Sequence, residues 1–310
     1  MVVKINNLVK RYKEVLAVDH FNMEIKEGEI LGLLGPNGSG KTTTINCLLS
    51  LLKYDKGEIE IFGKPMSPGS YDIKKNIGVV MQNVAVFDEL TVYENIDYFC
   101  SLYIKNTAER KRYVEEAINF VALDEQRKFL PKKLSGGLLR RLNIACGIVH
   151  KPKLVILDEP TVAVDPQSRD YILKGIAQLN KAGATIIYTS HYMEEVEQLC
   201  TRIIIMDKGK NLAQGTKEEL KRMIKTGETI RMDVPEITKE QLTQLKTIRN
   251  VFAVEYLDES LTIRLTQGKH NLARIIEYLT QENISYGRVL SELPTLNDVF
   301  LEITGKALRD

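Results

Sequence analysis

The stretch that decides the fold is ILGLLGPNGSGKT, residues 30 to 42. Its second part, Gly35 to Thr42, has the spacing GxxxxGK followed by Thr, in which glycines let successive backbone N–H groups turn toward one anion. The first part, Ile30 to Leu34, is a short apolar run typical of a buried parallel strand. The residues from Thr42 to Leu52 predict a helix. An ordinary glycine-rich turn is the alternative, but the strand before and the helix after favour a phosphate-binding loop.

This loop predicts contacts with ATP and Mg²⁺. Lys41 would bring a positive charge close to the β- and γ-phosphates and so act as a catalytic residue. The Thr42 hydroxyl would be a ligand for Mg²⁺. The positive end of the following helix dipole would add to the attraction for phosphate. The predicted nucleotide-binding residues of the loop are Gly35, Pro36, Asn37, Gly38, Ser39, Gly40, Lys41, Thr42 and Thr43.

Two acidic residues follow a second apolar strand, Leu154 to Leu157. Ligands of open α/β sheets bind at the carboxyl ends of the strands, where Asp158 and Glu159 stand. We expect Asp158 to hold Mg²⁺ and Glu159 to polarise the water that attacks the γ-phosphate. A pair of surface acids at a strand end is the alternative, and the phosphate loop earlier in the chain favours the magnesium site.

The order of predicted elements indicates an α/β P-loop NTPase with two attached parts. Residues 1 to about 30 alternate apolar and polar side chains, which predicts an antiparallel β subdomain. A helical pattern from Thr91 to Leu123 predicts an α-helical subdomain over residues 83–150. After residue 221, the predicted order βαββαβ indicates a small α+β ferredoxin-like domain over 222–310. Its predicted elements are Thr229–Val234, Lys239–Thr247, Val251–Leu257, Leu261–Leu265, Asn271–Glu282, Ile284–Leu290 and a final helix, Thr295–Thr304.

Composition and charge argue against several classes of partner and of site. The net charge is +2, from 43 Lys and Arg against 41 Asp and Glu, so little attraction draws the chain to nucleic acid, and we expect no nucleic-acid partner. The cysteines stand far apart and form no CxxC pair, which argues against a zinc site and a disulfide framework. No apolar run approaches the roughly 20 residues that span a bilayer. If the protein works at a membrane, another chain must cross it.

Four further motifs, in a fixed order along residues 1 to about 220, complete a pattern that resembles the ATP-binding subunits of ABC transporters. They are Gln82 in VVMQN, LSGG at residues 134 to 137, Val164-Asp165, and His191 in TSHYMEE. The ordered set is far more specific than any one motif, since small-residue turns such as LSGG are common. The resemblance implies an ABC-type ATPase fold and ATP hydrolysis coupled to transport.

The resemblance also implies a role for each matching residue. Tyr12 would stack on adenine, as a flat aromatic ring can; a core tyrosine is the alternative. Gln82 would touch Mg²⁺ or the attacking water and report to the membrane partner. His191 would contact the γ-phosphate, and its alternative is a loop histidine satisfied by local hydrogen bonds.

A second ATPase subunit is implied by the remaining motifs. Ser135, Gly136 and Gly137 would present the start of a helix to the γ-phosphate held by the other subunit, and Asp165 would lie at the dimer interface. The partner would be a second copy of the chain or a related subunit. Two departures stand out: Leu138 occupies the usual glutamine position and has no polar group to offer, and the segment before Asp165 reads Val162-Ala163-Val164.

The strings LSGGLLRRLNIA and LNDVFLEITGKALRD resemble the drug- and antibiotic-efflux type of ABC exporter. This resemblance implies export of a drug, antibiotic or lipid-like compound through a separate permease. It places the chain in the cytoplasm, on the inner face of the cell membrane. A soluble ABC-type ATPase in repair, translation or cluster assembly is the second hypothesis. A GTPase switch is the third, and Asn180-Lys181-Ala182-Gly183 lacks the acid of its guanine-binding loop. The C-terminal domain would be regulatory or a stabilising appendage.

Overall fold

The computed structural model describes residues 1–305, and these form two compact units. The first unit is Met1–Thr216 and the second begins at Lys217. The end of the string LNDVFLEITGKALRD, from residue 306 onward, lies outside the described residues. No helix within residues 1–305 has the length and apolarity needed to cross a bilayer.

An antiparallel sheet opens the first unit, as the alternating pattern predicts. It has the order β2-β1-β4-β5, and its buried face forms one core with the first helix of the chain and the underside of the central sheet. The alternation arises because successive side chains of a strand point to opposite faces. Its strands are β1 (Val3–Tyr12), β2 (Val15–Ile25), β4 (Lys56–Ile61) and β5 (Lys64–Pro65).

The central sheet has six strands in the order β10-β9-β3-β8-β7-β6. All its neighbouring pairs are parallel except β9 with β10, which form an antiparallel hairpin. Every residue of the strand Ile30–Leu34 is buried, as its continuous apolar run predicts. The strands are β3 (Ile30–Leu34), β6 (Ile77–Val80), β7 (Leu154–Asp158), β8 (Thr185–Ser190), β9 (Arg202–Asp207) and β10 (Lys210–Gly215).

Within Met1–Thr216 the structure has seven α-helices, and three of them build a separate helical core. That core joins Val92, Ile96, Val114, Ile118 and Leu142. The predicted helical stretch from 91 to 123 is two helices, and the first starts at Thr91 with a capping box closed by Glu94. The helices are α1 (Lys41–Leu48), α2 (Tyr71–Lys74), α3 (Val92–Ser101), α4 (Thr107–Phe120), α5 (Gly136–Ile148), α6 (Pro166–Lys181) and α7 (Met193–Leu199).

The helix after the phosphate loop is shorter than predicted. It ends at Leu48 rather than Leu52, because Ser50 takes a left-handed backbone conformation with φ of 52°. The N–H groups of Leu51 and Leu52 then donate to the carbonyl of Asn46, which closes the helix end. Past the helix end, Leu49 and Leu52 still face the core, whereas Leu51 is exposed, so the apolar pattern does not mark the end of the helix.

The second unit has the predicted βαββαβ order and a four-stranded antiparallel sheet, β12-β13-β11-β14. The predicted strand Ile284–Leu290 is largely wrong: Ile284 packs into the core, and the strand begins at Val289. The sequence pattern also missed a short helix at the start of the unit. The elements are α8 (Lys217–Arg222), β11 (Glu228–Asp233), α9 (Lys239–Leu245), β12 (Val251–Leu257), β13 (Ser260–Leu265), α10 (Asn271–Gln281), β14 (Val289–Glu292) and α11 (Leu296–Thr304).

Candidate active site

The phosphate loop connects the carboxyl end of β3 to the start of α1, and its glycines are required by close packing. A Cβ atom on Gly35 would lie 2.2 Å from the carbonyl oxygen of Met206. On Gly40 it would lie 2.5 Å from the carbonyl oxygen of Ala17, and Gly40 also has a φ of 107°. Only glycine fits at both positions. The sequence spacing therefore reflects both backbone conformation and the strands that press against the loop.

A cavity of about 210 Å³ lies over this loop. The hydroxyl of Ser39 is buried there and has no hydrogen-bond partner among the described residues. Buried polar groups are ordinarily paired, so an unpaired donor between glycines suits an anionic ligand such as phosphate. The lining residues are Ala17, Asn37, Gly38, Ser39, Gly40, Lys41, Thr42, Thr43, Gln82 and Glu159.

Lys41 is buried at the start of α1, with its side chain 5% exposed. Its Nζ donates to the carbonyl oxygens of Gly35 at 2.7 Å and Pro36 at 3.2 Å, and lies 3.4 Å from Oε1 of Glu159. Burial lowers the pKa of Lys41, while the nearby charges of Glu159 and Asp158 act in the opposite direction. The ammonium group is thus held beside the cavity by carbonyl groups and by one carboxylate.

Both carboxylate oxygens of Asp158 are held by threonine hydroxyls. Thr42 Oγ1 donates to Oδ2 at 2.9 Å, and Thr189 Oγ1 donates to Oδ1 at 2.5 Å. Asp158 is fully buried at the carboxyl end of β7, next to β8, which carries Thr189. A hydroxyl and a carboxylate side by side are the oxygen ligands that Mg²⁺ prefers, so the residues present fit this ion. Thr189 begins the string TSHYMEE that was quoted for His191, but the sequence analysis gave it no role.

Three predicted site residues meet at the carboxylate of Glu159. Gln82 Nε2 donates to its Oε2 at 3.2 Å, His191 Nδ1 lies 3.4 Å from the same oxygen, and Lys41 approaches Oε1. Glu159 has a φ of 49°, a conformation that costs a non-glycine residue about 1 to 3 kcal/mol. Its N–H donates to Thr189 Oγ1 at 3.0 Å, which helps to hold this conformation. The backbone strain thus lies where the predicted chemistry would take place.

The loop that carries Gln82 is held by the helix α5. Arg140 is buried on this helix and donates to the carbonyl oxygens of Met81 at 3.1 Å and Gln82 at 2.7 Å. Asn143, one turn further along, accepts from the N–H of Ala85 at 3.1 Å. Sequence reasoning missed both residues. A charged residue on the buried face of an amphipathic helix was the available signal, because such a charge needs a partner.

Arg140→Met is expected to lower the free energy of unfolding by about 1 to 3 kcal/mol, because two backbone carbonyls lose a charged donor. Equilibrium urea unfolding measures this change. Arg112→Met is the control, since Arg112 is exposed on α4 and its removal should cost less than about 0.5 kcal/mol. Equal midpoints for both variants would show that Arg140 does not hold the Gln82 loop.

The LSGG and Asp165 segments lie against each other. Ser135 caps α5 by accepting from the N–H of Leu138, and Asp165 caps α6 by accepting from the N–H of Ser168 at 2.9 Å. This bond to Ser168 lowers the pKa of Asp165. A Cβ on Gly137 would lie 2.8 Å from Asp165 Oδ2, whereas Gly136 is more open. None of Ser135, Gly136, Gly137 and Asp165 lines the 210 Å³ cavity.

Leu138 and Tyr12 occupy different surroundings. Leu138 is partly buried and packs against the core of the helical subdomain, so its apolar side chain has a structural use at the usual glutamine position. Tyr12 ends β1, is 46% exposed, and has Lys10 Nζ 5.1 Å from its ring centre. Tyr12 does not belong to the cavity lining, although Ala17 of the neighbouring strand β2 does.

Comparison with known proteins adds two family matches. Residues 18–162 match the ABC transporter family, and residues 215–304 match the family described as ATP-binding protein DrrA1-3-like, C-terminal domain. The linearmycin resistance ATP-binding protein LnrL of Bacillus subtilis is 37% identical over 306 residues, or 98% of either chain. The Nod factor export ATP-binding protein I of Ralstonia nicotianae is 32% identical, over 100% of this chain and 95% of that protein.

Solved structures agree with the family matches. A dimeric ATP-binding cassette in a post-hydrolysis state, bound to ADP and phosphate, is 28% identical with a TM-score of 0.64. The match covers 69% of this chain and 98% of that one. Family and fold together confirm the predicted ABC ATPase with ATP as its nucleotide. This chain belongs to the ABC transporter family, as an ATP-binding and ATP-hydrolysing subunit of the exporter type.

Proposed function

We propose that this chain powers the export of a drug, antibiotic or lipid-like compound through a separate membrane permease. The observation that carries the ATPase part is the meeting of Lys41, Gln82 and His191 at the Glu159 carboxylate, beside the phosphate loop. The names of the relatives, which refer to linearmycin resistance and Nod factor export, support the kind of cargo.

In the proposed reaction, the phosphate loop holds the β- and γ-phosphates and Lys41 neutralises their charge. Glu159 accepts a proton from the attacking water, whose oxygen bonds to the γ-phosphorus as ADP leaves. His191 contacts the γ-phosphate, and Tyr12 stacks on the adenine. Thr42, Gln82 and Asp158 would hold Mg²⁺, which when bound would neutralise charge that develops on the phosphate oxygens. The carboxylate of Glu159 is already oriented by its neighbours, so the site needs little rearrangement before the reaction.

The site is proposed to be completed by a second subunit. Ser135, Gly136 and Gly137 begin the helix α5, whose free N–H groups suit phosphate, yet they do not line the cavity of their own chain. In a dimer they would face the nucleotide of the partner, with Asp165 at the interface. The dimeric solved cassette supports this arrangement. The partner is a second copy or a related ATPase subunit.

A permease would dock on the helical subdomain near the Gln82 loop. Phe87 packs edge-on against Tyr98 with ring centres 4.8 Å apart, and Phe99 packs 5.6 Å from Tyr98. Phe87 and Tyr98 are exposed, as is Leu102 after the end of α3. Exposed aromatic clusters are typical of protein interfaces. Docking through this aromatic cluster would place the chain on the inner face of the cell membrane.

We propose residues 1–221 as the ATPase domain and 222–310 as an accessory domain.

Purification of the tagged chain from its own cells in mild detergent is expected to recover a polytopic membrane protein. Tyr98→Glu should reduce that recovery at least about tenfold, because a charge at an apolar interface is costly to bury. Tyr71→Glu is the control, since Tyr71 is an exposed aromatic on α2, outside the helical subdomain. Recovery of soluble partners alone from the parent chain would favour a soluble ABC-type ATPase instead.

A further inference from the structure

One buried carboxylate near the active site has no role in the proposed reaction. Glu195 lies on α7 and is 3% exposed. Its Oε2 accepts three hydrogen bonds from hydroxyl groups, from Tyr188 at 2.6 Å, Thr161 at 2.8 Å and Ser190 at 3.0 Å. Burial, followed by the negative charge of Glu195, raises the pKa of Tyr188, so its hydroxyl is a proton donor in this cluster.

The other oxygen of this carboxylate faces a cation. Arg169 Nε lies 3.3 Å from Glu195 Oε1, and the guanidinium group of Arg169 lies 4.6 Å from the ring centre of Tyr192. Tyr192 in turn donates its N–H to Ser190 Oγ at 2.9 Å. We call Glu195, Thr161, Arg169, Tyr188 and Ser190 the Glu195 cluster. It contains three hydroxyls and a charge pair, in which the carboxylate of Glu195 is buried and the side chain of Arg169 is 35% exposed.

The Glu195 cluster joins two loops that carry residues of the proposed reaction. Thr161 stands two residues after Glu159, and Arg169 lies in the first turns of α6, after Asp165. Ser190 is the last residue of β8 and directly precedes His191. The side chains of His191 and Glu159 approach each other on the cavity side, while Ser190 and Thr161 are joined through Glu195 on the buried side.

A buried charge of this kind is costly unless its partners are well placed, and apolar side chains would often stabilise such a site as well or better. A need to fill the core therefore does not account for the presence of Glu195 at this buried position. A carboxylate with three hydroxyl donors and one cation does have a geometric effect, because each bond restricts the loop that supplies it. Displacement of a reacting group by about 1 Å can cost about 100-fold in rate.

We propose that Glu195 is a positioning residue that fixes the loop carrying Glu159 relative to the loop carrying His191. The proposal rests on the roles proposed above for those two residues. Glu195 touches neither substrate nor reacting atoms. It acts through Thr161 and Ser190, so that the carboxylate that accepts the proton and the histidine that meets the γ-phosphate keep one spacing during turnover.

Conservative substitutions of the two residues that donate to Glu195 from the two loops test this proposal without leaving a large cavity in the core. Thr161→Val and Ser190→Ala each remove one hydroxyl, and each is expected to lower kcat about tenfold while the Kd for ATP stays within about twofold. The double variant should lose little more than either single one, because releasing one loop already ends the coupling. Losses that multiply in the double variant would overturn the proposal.

Variants of Glu195 itself separate the charge from the hydrogen bonds. Glu195→Ala is expected to lower kcat at least about tenfold, because it ends the coupling of the two loops, with little change in the Kd for ATP. Glu195→Gln keeps an oxygen acceptor for the hydroxyls and should retain several times more activity than Glu195→Ala. Circular dichroism gives the folded fraction, so that kcat is expressed per folded molecule. Equal activity of the two variants would contradict a role through Thr161 and Ser190.

Thr185→Val is the matched control. Thr185 is buried at the opposite end of the strand β8 and accepts a hydrogen bond from the N–H of Gly28 at 3.0 Å. Its loss should lower stability but leave kcat within about twofold, because it lies far along the strand from the site.

Glu159→Gln separates the two proposals. If it hydrolyses ATP as fast as the parent, the proposed function fails. If it is inactive while the Glu195 cluster variants keep the parent kcat, only the positioning role fails.

Discussion

Glu159→Gln is expected to lower kcat for ATP hydrolysis by about 100- to 10,000-fold, the range typical of losing a general base. The amide keeps the size of the carboxylate and can still meet Gln82 and His191, but it cannot accept a proton from water at neutral pH. The Kd for ATP should change by less than about tenfold, since the phosphate loop and Thr42 are untouched. The variant should therefore bind ATP and accumulate in the bound form.

Single-turnover hydrolysis and equilibrium ATP binding measure the two quantities separately. Glu194→Gln is the control, because Glu194 is an exposed acid on α7. Its replacement removes the same charge without altering the cavity. It should hydrolyse ATP at the parent rate. Undiminished turnover by Glu159→Gln would remove Glu159 from its role and leave Asp158 or the substrate itself to activate the water.

Lys41→Met is expected to weaken ATP binding by about 10- to 100-fold, since a charge-assisted hydrogen bond to a buried anion is worth about 1.5 to 3 kcal/mol. Methionine fills the same space but has no donor for the phosphates. In the structure, Lys41 Nζ is already held by the carbonyls of Gly35 and Pro36, beside the cavity. The substitution would therefore remove an ammonium group that is already oriented before ATP binds.

Nucleotide-induced stabilisation gives a direct measurement of this loss. The parent should show a rise in Tm with ATP concentration, and Lys41→Met should need about 10 to 100 times more ATP for the same rise. Lys64→Met is the control, because Lys64 is exposed and pairs with Asp72 on the surface. If Lys41→Met binds ATP like the parent, the phosphate loop is not the main anchor of the nucleotide.

Most of the ATPase fold could be predicted from local patterns. The run Ile30–Leu34 is entirely apolar because both faces of this strand are covered, whereas β1 alternates because one face is open. The pattern failed where apolar residues face a core without regular structure. Leu49 and Leu52 pack on the first core beyond the end of α1, and Ile284 fills the second core outside any strand.

The candidate site divides in the same way. The spacing of the phosphate loop and the strand-end acids predicted Lys41, Asp158 and Glu159, because glycine turns and strand ends leave signals in the sequence. Gln82 and His191 were predicted from the family resemblance. Thr189, Arg140 and Glu195 lie within strings quoted for other residues, but the sequence gave none of them a role. Their positions depend on which elements pack together, and a lone threonine, arginine or glutamate has many possible surroundings.

By itself, the sequence determined the phosphate loop, the strand-end acids and the order of the elements, since these follow from local geometry and periodicity. Only the tertiary structure decided that Gln82 and Glu159, separated by 77 positions, share a hydrogen bond, and that Glu195 reaches back 34 positions to Thr161. Parallel pairing of β6, β7 and β8 brings their carboxyl ends to one edge of the sheet. Burial there makes each unpaired charge costly, and that cost determines which side chains must meet.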